Sequence, residues 1–133
     1  MNLAELSRFV EILRSHNVEV IVSTDAHKEL QNFKGNDFVI TNALSADERT
    51  GIIFMGGFEN RKNASLAEHH IVVLKAEDIR KDVISAYNFA SSKSNCIFAS
   101  SSPSKTADIE GKTVFGMHGP RKLTVILEVK EEV

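Results

Sequence analysis

Residues 102–127 contain the groups that could bind and transform a small anion. Ser104, Lys105 and Thr106 offer hydroxyl groups, backbone N–H groups and an ammonium group in consecutive positions. The sequence predicts a short helical turn directly after them, at 107–110, and the positive end of such a turn attracts a carboxylate or a phosphate. We therefore predict that these three side chains bind an anionic ligand.

Titratable side chains in the same segment are candidates for proton transfer. Asp108 and Glu110 could hydrogen-bond ligand hydroxyl groups, and a carboxylate whose pKa is raised by burial can act as a general base. His118 suits acid–base chemistry because the ordinary pKa of histidine lies near neutrality. We predict catalytic roles for Asp108, Glu110 and His118. The further ligand contacts that we predict come from Thr50, Gly51 and Gly119.

A purely structural interpretation of the same residues stands beside this one. Ser104 would then cap the turn, as serine often does at the start of a helix. Asp108 and Glu110 would be solvated or paired with Lys105. His118 would donate a ring N–H group to a backbone carbonyl and hold a turn between glycine and proline. Residue types alone leave both interpretations open.

Composition and charge limit the classes of partner. The 133 residues are 42% hydrophobic and 26% charged, which predicts one globular domain over 1–133. The formal net charge of −2 gives no general attraction to nucleic acid, so we expect no nucleic-acid partner. No apolar run is long enough to cross a membrane and the first residues do not resemble a signal peptide. We therefore expect a cytoplasmic protein without membrane insertion.

The cysteine and histidine residues do not predict a metal site. Cys96 is the single cysteine, and one thiolate cannot hold an iron–sulfur cluster or a structural zinc ion, which need about four ligands. His69 and His70 are adjacent on a predicted strand, so their side chains point to opposite faces. The sequence has no zinc spacing and no glycine-rich phosphate loop. It predicts no metal ligands and leaves any cofactor unidentified.

The periodicity of apolar residues predicts an α/β domain. Short apolar segments typical of buried strands alternate with helical patterns, and they lack the hydrophobic–polar alternation of a half-exposed sheet. This combination favours a layered fold with a largely parallel central sheet. The predicted strands are 18–23, 37–44, 52–57, 70–75, 95–100 and 122–129, the predicted helices start near residues 3, 25 and 76, and 58–69 is predicted to be an irregular loop.

The segment SPSKTADIEGKTVFGMHGPRKLTVIL at 102–127 closely resembles the terminal signature of the LUD domain family, which includes the LutC-type lactate utilization proteins. That signature is Pro-Ser-(Arg/Lys)-Thr-Ala-Asp-Ile-Glu, followed by Gly-(Val/Met)-His-Gly-Pro and an apolar strand. Thr50-Gly51 before an apolar strand and Ser65-Leu66 before HIVVL resemble further family segments. One departure is Arg49, which stands where the family has a glutamate, with Glu48 one place earlier.

The resemblance implies a fold and a function. The implied fold is a three-layer α/β/α sandwich similar to the sugar-phosphate isomerase and CoA-transferase superfamily. The implied function is a share in oxidising L-lactate to pyruvate, together with partner subunits that carry iron–sulfur clusters. Two alternatives remain at this point: a stand-alone enzyme acting on a phosphorylated sugar or an acyl-CoA, and a non-catalytic binding module.

Overall fold

The computed structural model describes residues 2–35, 37–102, 105–108 and 122–130. Within these ranges the chain forms four α-helices and eight strands. The helices are α1 (Leu3–Ser15), α2 (Ala26–Leu30), α3 (Phe58–Leu66) and α4 (Val83–Lys93). The strands are β1 (Glu19–Ser23), β2 (Phe38–Asp47), β3 (Ile53–Gly56), β4 (His69–Lys75), β5 (Ile79–Arg80), β6 (Ile97–Ser102), β7 (Lys105–Asp108) and β8 (Lys122–Glu128).

The strands form one sheet in the order β1-β8-β4-β2-β3-β6-β7, with β5 pairing to the end of β2. The neighbours β1, β8, β4 and the first half of β2 are parallel, and β5 is also parallel to β2. The pairings β2–β3, β3–β6 and β6–β7 are antiparallel. The prediction of a largely parallel central sheet in an α/β fold is confirmed, with an antiparallel extension at one side.

Helices cover both faces of the sheet. Phe9 and Leu13 of α1 and Ala64 of α3 lie in one apolar cluster with inward residues of β1, β3, β4, β6 and β8. On the opposite face, Ala26 of α2 packs with residues of β4 and β8, while Ala86 of α4 packs with residues of β3 and β6. The three layers expected from the family resemblance are therefore present.

Local sequence signals explain where two of the helices begin. Asn2 and Glu5 form a capping box at the start of α1, in which the Asn2 carboxamide oxygen accepts from the Glu5 N–H group at 2.8 Å. Asp82 caps α4 by accepting from the Ser85 N–H group at 2.7 Å. The sequence prediction started this helix at Ala76, whereas Ala76–Asp78 is a 3-10 turn followed by β5.

Two segment predictions are wrong. The polar stretch predicted as a loop contains α3, whose sequence shows no apolar period although its Ala64 is fully buried. The predicted helical turn at 107–110 is contradicted at Ala107 and Asp108, which pair with Ala99 and Phe98 of β6. Cross-strand pairing overrides the local helix-start signal there, so the helix-dipole argument for an anion at this position no longer holds.

Candidate functional site

The parallel strands end along one side of the sheet, which we call the carboxyl edge. It includes the ends of β1, β4 and β8 at Ser23, Lys75 and Glu128. The turn between β2 and β3 also lies there, because β2 runs parallel to β4. The carboxyl ends of parallel strands are the usual place for ligand sites in α/β sheets. The predicted contacts Thr50 and Gly51 belong to this turn.

A buried carboxylate organises the β2–β3 turn. Asp47 is only 1% exposed, and its side chain accepts hydrogen bonds from the Arg49 N–H group at 3.1 Å and the Thr50 hydroxyl at 2.5 Å. The Gly51 N–H group donates to the Asp47 carbonyl oxygen, and the Glu48 N–H group donates to the Arg80 carbonyl oxygen. The Thr50 hydroxyl also accepts from Ile52 N at 3.3 Å. Thr50 therefore serves the turn itself in this conformation.

Gly51 brings the turn into close contact with α1. Its φ of +78° lies in the left-handed region, a backbone conformation that residues other than glycine rarely adopt. A Cβ atom at this position would lie 3.1 Å from Ile12 Cγ2 and 3.2 Å from Leu13 Cδ2. Glycine is thus needed both for the backbone conformation and for the approach of the helix. The turn and α1 are held as one unit.

Strands β6 and β7 form a hairpin that contains three of the predicted site residues. Lys105 and Thr106 are predicted ligand contacts, and Asp108 is a predicted catalytic residue. Lys105 pairs with Ser102, Thr106 with Ser100 and Asp108 with Phe98, so the start of β7 lies at the carboxyl edge. The structure thus places Lys105 at the same edge of the sheet as the β2–β3 turn. The predicted residues Ser104, Glu110, His118 and Gly119 lie outside the described residues.

A groove opens at the carboxyl edge beside the β2–β3 turn. It has a volume of about 570 Å³, and we call it the edge groove. Its lining comes from three parts of the chain: α1, the β2–β3 turn and the residue after β5. The lining residues are Glu5, Arg8, Ile12, Glu48, Arg49 and Lys81.

The parallel strands begin on the opposite side of the sheet, which we call the amino edge. Side chains at this edge form a continuous network of hydrogen bonds and an ion pair. Thr124 is fully buried and donates to Glu19 Oε1 at 3.2 Å, so it accepts from His69 Nε2 at 2.7 Å. Lys122 Nζ lies 3.5 Å from Glu19 Oε2. Burial, followed by the positive charge of Lys122, lowers the pKa of His69, while Glu19 acts in the opposite direction. His69 is therefore favoured as a neutral donor.

His70 is buried on the other face of β4. Its Nε2 lies 3.0 Å from the Thr41 hydroxyl, and its Nδ1 has no hydrogen-bond partner among the described residues. Burial, together with the neighbouring His69, lowers the pKa of His70 to about 4. The two histidines thus bond on opposite faces, as their adjacency on a strand predicted. Within the described ranges, no cluster of His, Cys, Asp and Glu side chains could hold a metal ion.

Sequence reasoning did not identify Arg8 and Lys81 as site candidates. Arg8 was assigned to the polar side of an amphipathic helix, and Lys81 was placed inside a longer predicted helix. No sequence signal pairs these residues with Arg49, because they come from separate elements that meet only in the folded chain. The polar block around Glu48 and Arg49, for which the sequence leaves open a place in the ligand cleft or a solvated turn, is the one available indication.

These features define a three-layer α/β domain whose candidate site lies at the carboxyl edge of its sheet. The chain belongs to the LUD domain family, whose model matches residues 30–127. A solved structure of a DUF162 family protein from Deinococcus radiodurans is similar, with a TM-score of 0.68 over 95% of this chain and 96% of that chain. Its 18% sequence identity shows the shared fold alone. A search of curated proteins finds no significant match.

Proposed function

We propose that this protein is a LutC-like subunit of an L-lactate oxidation system that converts L-lactate to pyruvate with iron–sulfur partner proteins. The observation that carries the proposal is the LUD domain match over 30–127, which spans the β2–β3 turn and the β6–β7 hairpin. This family is associated with lactate utilization. The described part of the chain contains no helix that is long and apolar enough to span a membrane, and we place the protein in the cytoplasm.

Division of labour between subunits follows from the cysteine content. Oxidation of L-lactate to pyruvate releases two electrons and two protons. Cys96 is the single cysteine, so this chain cannot supply the thiolates of an iron–sulfur cluster. The electrons would therefore pass to clusters on the partner subunits. We assign no cofactor to this chain.

The predicted site residues would hold the substrate and move a proton. Lys105 would neutralise the lactate carboxylate, and Ser104 and Thr106 would donate hydrogen bonds to it. Asp108 or His118 would accept the proton of the lactate hydroxyl group, with Glu110 as a further candidate base. The C2–H bond would break as well, which releases the second proton and the two electrons that pass to the clusters of the partner subunits. Thr50, Gly51 and Gly119 would complete the ligand contacts. The register supports this arrangement for Lys105, which begins β7 at the same edge as the β2–β3 turn.

The test is an anaerobic affinity purification of the tagged protein from its own cells, with the eluate assayed for dye reduction driven by L-lactate. We expect iron–sulfur proteins in the eluate and reduction that depends on L-lactate. A protein that elutes alone and reduces no dye would contradict the proposal. Turnover of a phosphorylated sugar or an acyl-CoA by the isolated chain would favour the stand-alone enzyme.

A pair of lysine variants then tests the anion site. Lys105→Ala should retain the iron–sulfur partners and lose most of the lactate-dependent reduction, because the carboxylate loses its counter-charge. Lys62→Ala in α3 is the matched control, since Lys62 is an exposed lysine of the same charge. Equal activities of the two variants would remove Lys105 from the site. Loss of the partners in Lys105→Ala alone would instead assign this residue to subunit docking.

A further inference from the structure

We propose that the edge groove binds a small organic anion with at least two negative charges, of the phosphate-ester or polycarboxylate class, because three cationic side chains without a partner among the described residues line this one cavity. Arg8, Arg49 and Lys81 are those cations. The inference rests on the described side chains of the groove and not on lactate oxidation. It therefore stands or falls independently of the proposed function.

The three cations come from three separate elements. Arg8 projects from α1, Arg49 belongs to the β2–β3 turn, and Lys81 directly follows β5. Arg8 and Ile12 are one helical turn apart, so the groove combines a charged wall with an apolar contact from the same helix. All three side chains are exposed, so an anion that enters the groove from solvent would meet all three cations.

These cations combine a shared cavity with the lack of a partner among the described residues. Within the described ranges, the side chains of Arg8, Arg49 and Lys81 make no ion pair and no hydrogen bond. Lys28, Lys34, Lys62 and Lys75 also have no partner there but do not line the groove, and several other described cations are paired by the protein itself. Lys93 pairs with Asp78, Lys122 with Glu19 and Lys130 with Glu77, and Arg14 donates to the Val20 carbonyl oxygen.

Two carboxylates line the groove and a third lies beside it, and two of the three already accept hydrogen bonds from the protein. Glu5 is engaged by its own helix, since its carboxylate accepts from Asn2 N at 3.3 Å and from Asn2 Nδ2 at 3.2 Å. Glu48 is the second lining carboxylate. Outside the lining, Asp82 accepts from Ser85 N, and the positive charge of Arg49 is among the causes that lower the pKa of Asp82.

Size and charge together indicate the class of ligand. Three cations against the two lining carboxylates leave one net positive charge, in a protein whose formal net charge is −2. The volume of about 570 Å³ is within the usual range of about 300–1,000 Å³ for small-molecule sites. It exceeds what a three-carbon monoacid would fill. Guanidinium groups bind phosphate and carboxylate oxygens in a bidentate manner.

The groove wall is preorganised, which lowers the entropic cost of binding. Asp47 fixes the backbone of Arg49, and the Arg80 carbonyl oxygen accepts from Glu48 N at 2.9 Å. Contact between Gly51 and α1 sets the position of the helix that carries Arg8. An entering anion would mainly order the ends of three side chains. The β2–β3 turn would not have to rearrange.

The test is isothermal titration calorimetry of the isolated protein with pyrophosphate, citrate and L-lactate at low ionic strength, where screening is weak. We expect pyrophosphate or citrate to bind and L-lactate to bind much more weakly at this site. The better of the first two ligands identifies the phosphate or the carboxylate class. Arg8→Gln and Arg49→Gln should each reduce the affinity about tenfold or more, as expected for loss of a charge-assisted hydrogen bond.

Two further variants make the result specific. Arg49→Lys keeps the charge but loses the planar guanidinium, so its affinity should fall between those of the wild type and Arg49→Gln. Lys28→Gln removes an exposed charge of α2, away from the groove, and should leave binding unchanged. The proposal is overturned if neither pyrophosphate nor citrate binds the wild type. It is also overturned if Lys28→Gln weakens binding as much as the groove variants do.

Discussion

The hydrogen-bond network at the amino edge and the edge groove at the carboxyl edge treat charge in opposite ways. At the amino edge, His69, Thr124, Glu19 and Lys122 satisfy one another in one continuous network. Beside the edge groove, the protein satisfies the backbone of the β2–β3 turn, while the cationic side chains of the groove have no partner among the described residues. A network whose members bond to one another stabilises a fold, whereas charged side chains held by a rigid turn without a protein partner are available to a ligand. Polar residues alone therefore do not mark a site, and their pairing state separates the amino-edge network from the edge groove.

A substitution in the β2–β3 turn, which supports the edge groove, should have the largest effect on the free energy of unfolding. Gly51→Ala combines a left-handed φ with a Cβ only 3.1 Å from Ile12 Cγ2. A left-handed φ costs about 1–2 kcal/mol and overpacking costs about 1–3 kcal/mol, so we expect a loss of about 3 kcal/mol in the free energy of unfolding. Urea denaturation measures it. Gly35→Ala is the control, because Gly35 has a φ of +107° with nothing within 4 Å of its Cβ position. Equal losses in the two variants would mean that contact with α1 is unimportant.

Acid should destabilise the amino-edge side of the protein through His70. The folded-state pKa of His70 is about 4, below the ordinary value of 6.5. Between these values the unfolded chain binds more protons, so stability is complete above about pH 6.5 and is lost as the pH falls toward 4. The lowered pKa of His69 acts in the same direction. The total loss from His70 is about 3 kcal/mol, at about 1.4 kcal/mol per pKa unit.

Unfolding midpoints measured from pH 7 to pH 4 check this dependence. His70→Gln removes the buried ring and should flatten the pH dependence in this interval. His27→Gln is the control, because His27 is exposed on α2. If His70→Gln kept the full acid sensitivity of the wild type, the titrating group would have to lie elsewhere in the protein.

The smallest effect should come from the exposed end of the amino-edge network. Lys122 and Glu19 have side chains that are 55% and 46% exposed, at an N–O distance of 3.5 Å. Exposed ion pairs contribute about 0–1 kcal/mol, so Lys122→Gln should change the free energy of unfolding by less than about 1 kcal/mol. Urea denaturation at low and high salt measures the difference, which should shrink in high salt.

A ligand measurement on the same lysine sharpens the comparison of the two edges. Lys122→Gln should leave pyrophosphate and citrate binding unchanged, whereas Lys81→Gln should weaken that binding and hardly alter stability. A loss of anion binding in Lys122→Gln would show that the two edges do not divide these roles.

Much of the fold was predictable because its local signals agree with its tertiary contacts. The apolar run of β4 is buried on both faces, as continuous apolar strands in parallel sheets are. The pattern of Leu6, Val10 and Leu13 predicted α1, although Leu3 of the same pattern is 73% exposed. The α3 segment was missed because its sequence is largely polar and shows no apolar period of a helix. Ala107 and Asp108 were misassigned because their conformation is set by strand β6, a distant partner that local propensity does not include.

The candidate site, like the fold, was predictable from the sequence only in part. The motif of 102–127 was sufficient to predict the LUD domain family, and the family match confirms it. The anion-binding and catalytic roles of the motif residues stay predictions. Register alone brings Lys105 to the edge of the sheet that holds Thr50 and Gly51. The structural task of Asp47 had no sequence signal, because an aspartate in a polar turn reads as solvated until its burial is known.

The sequence by itself determined the α/β class, the family and the position of most strands, because periodicity and contiguous motifs are properties of neighbouring residues. Only the tertiary structure decided which charges meet in one groove. Arg8, Arg49 and Lys81 are far apart along the chain and resemble ordinary surface cations in it. They share a groove because α1, the β2–β3 turn and β5 meet at the carboxyl edge, and electrostatic interaction depends on distance in space and on solvent exposure, which the linear sequence does not specify.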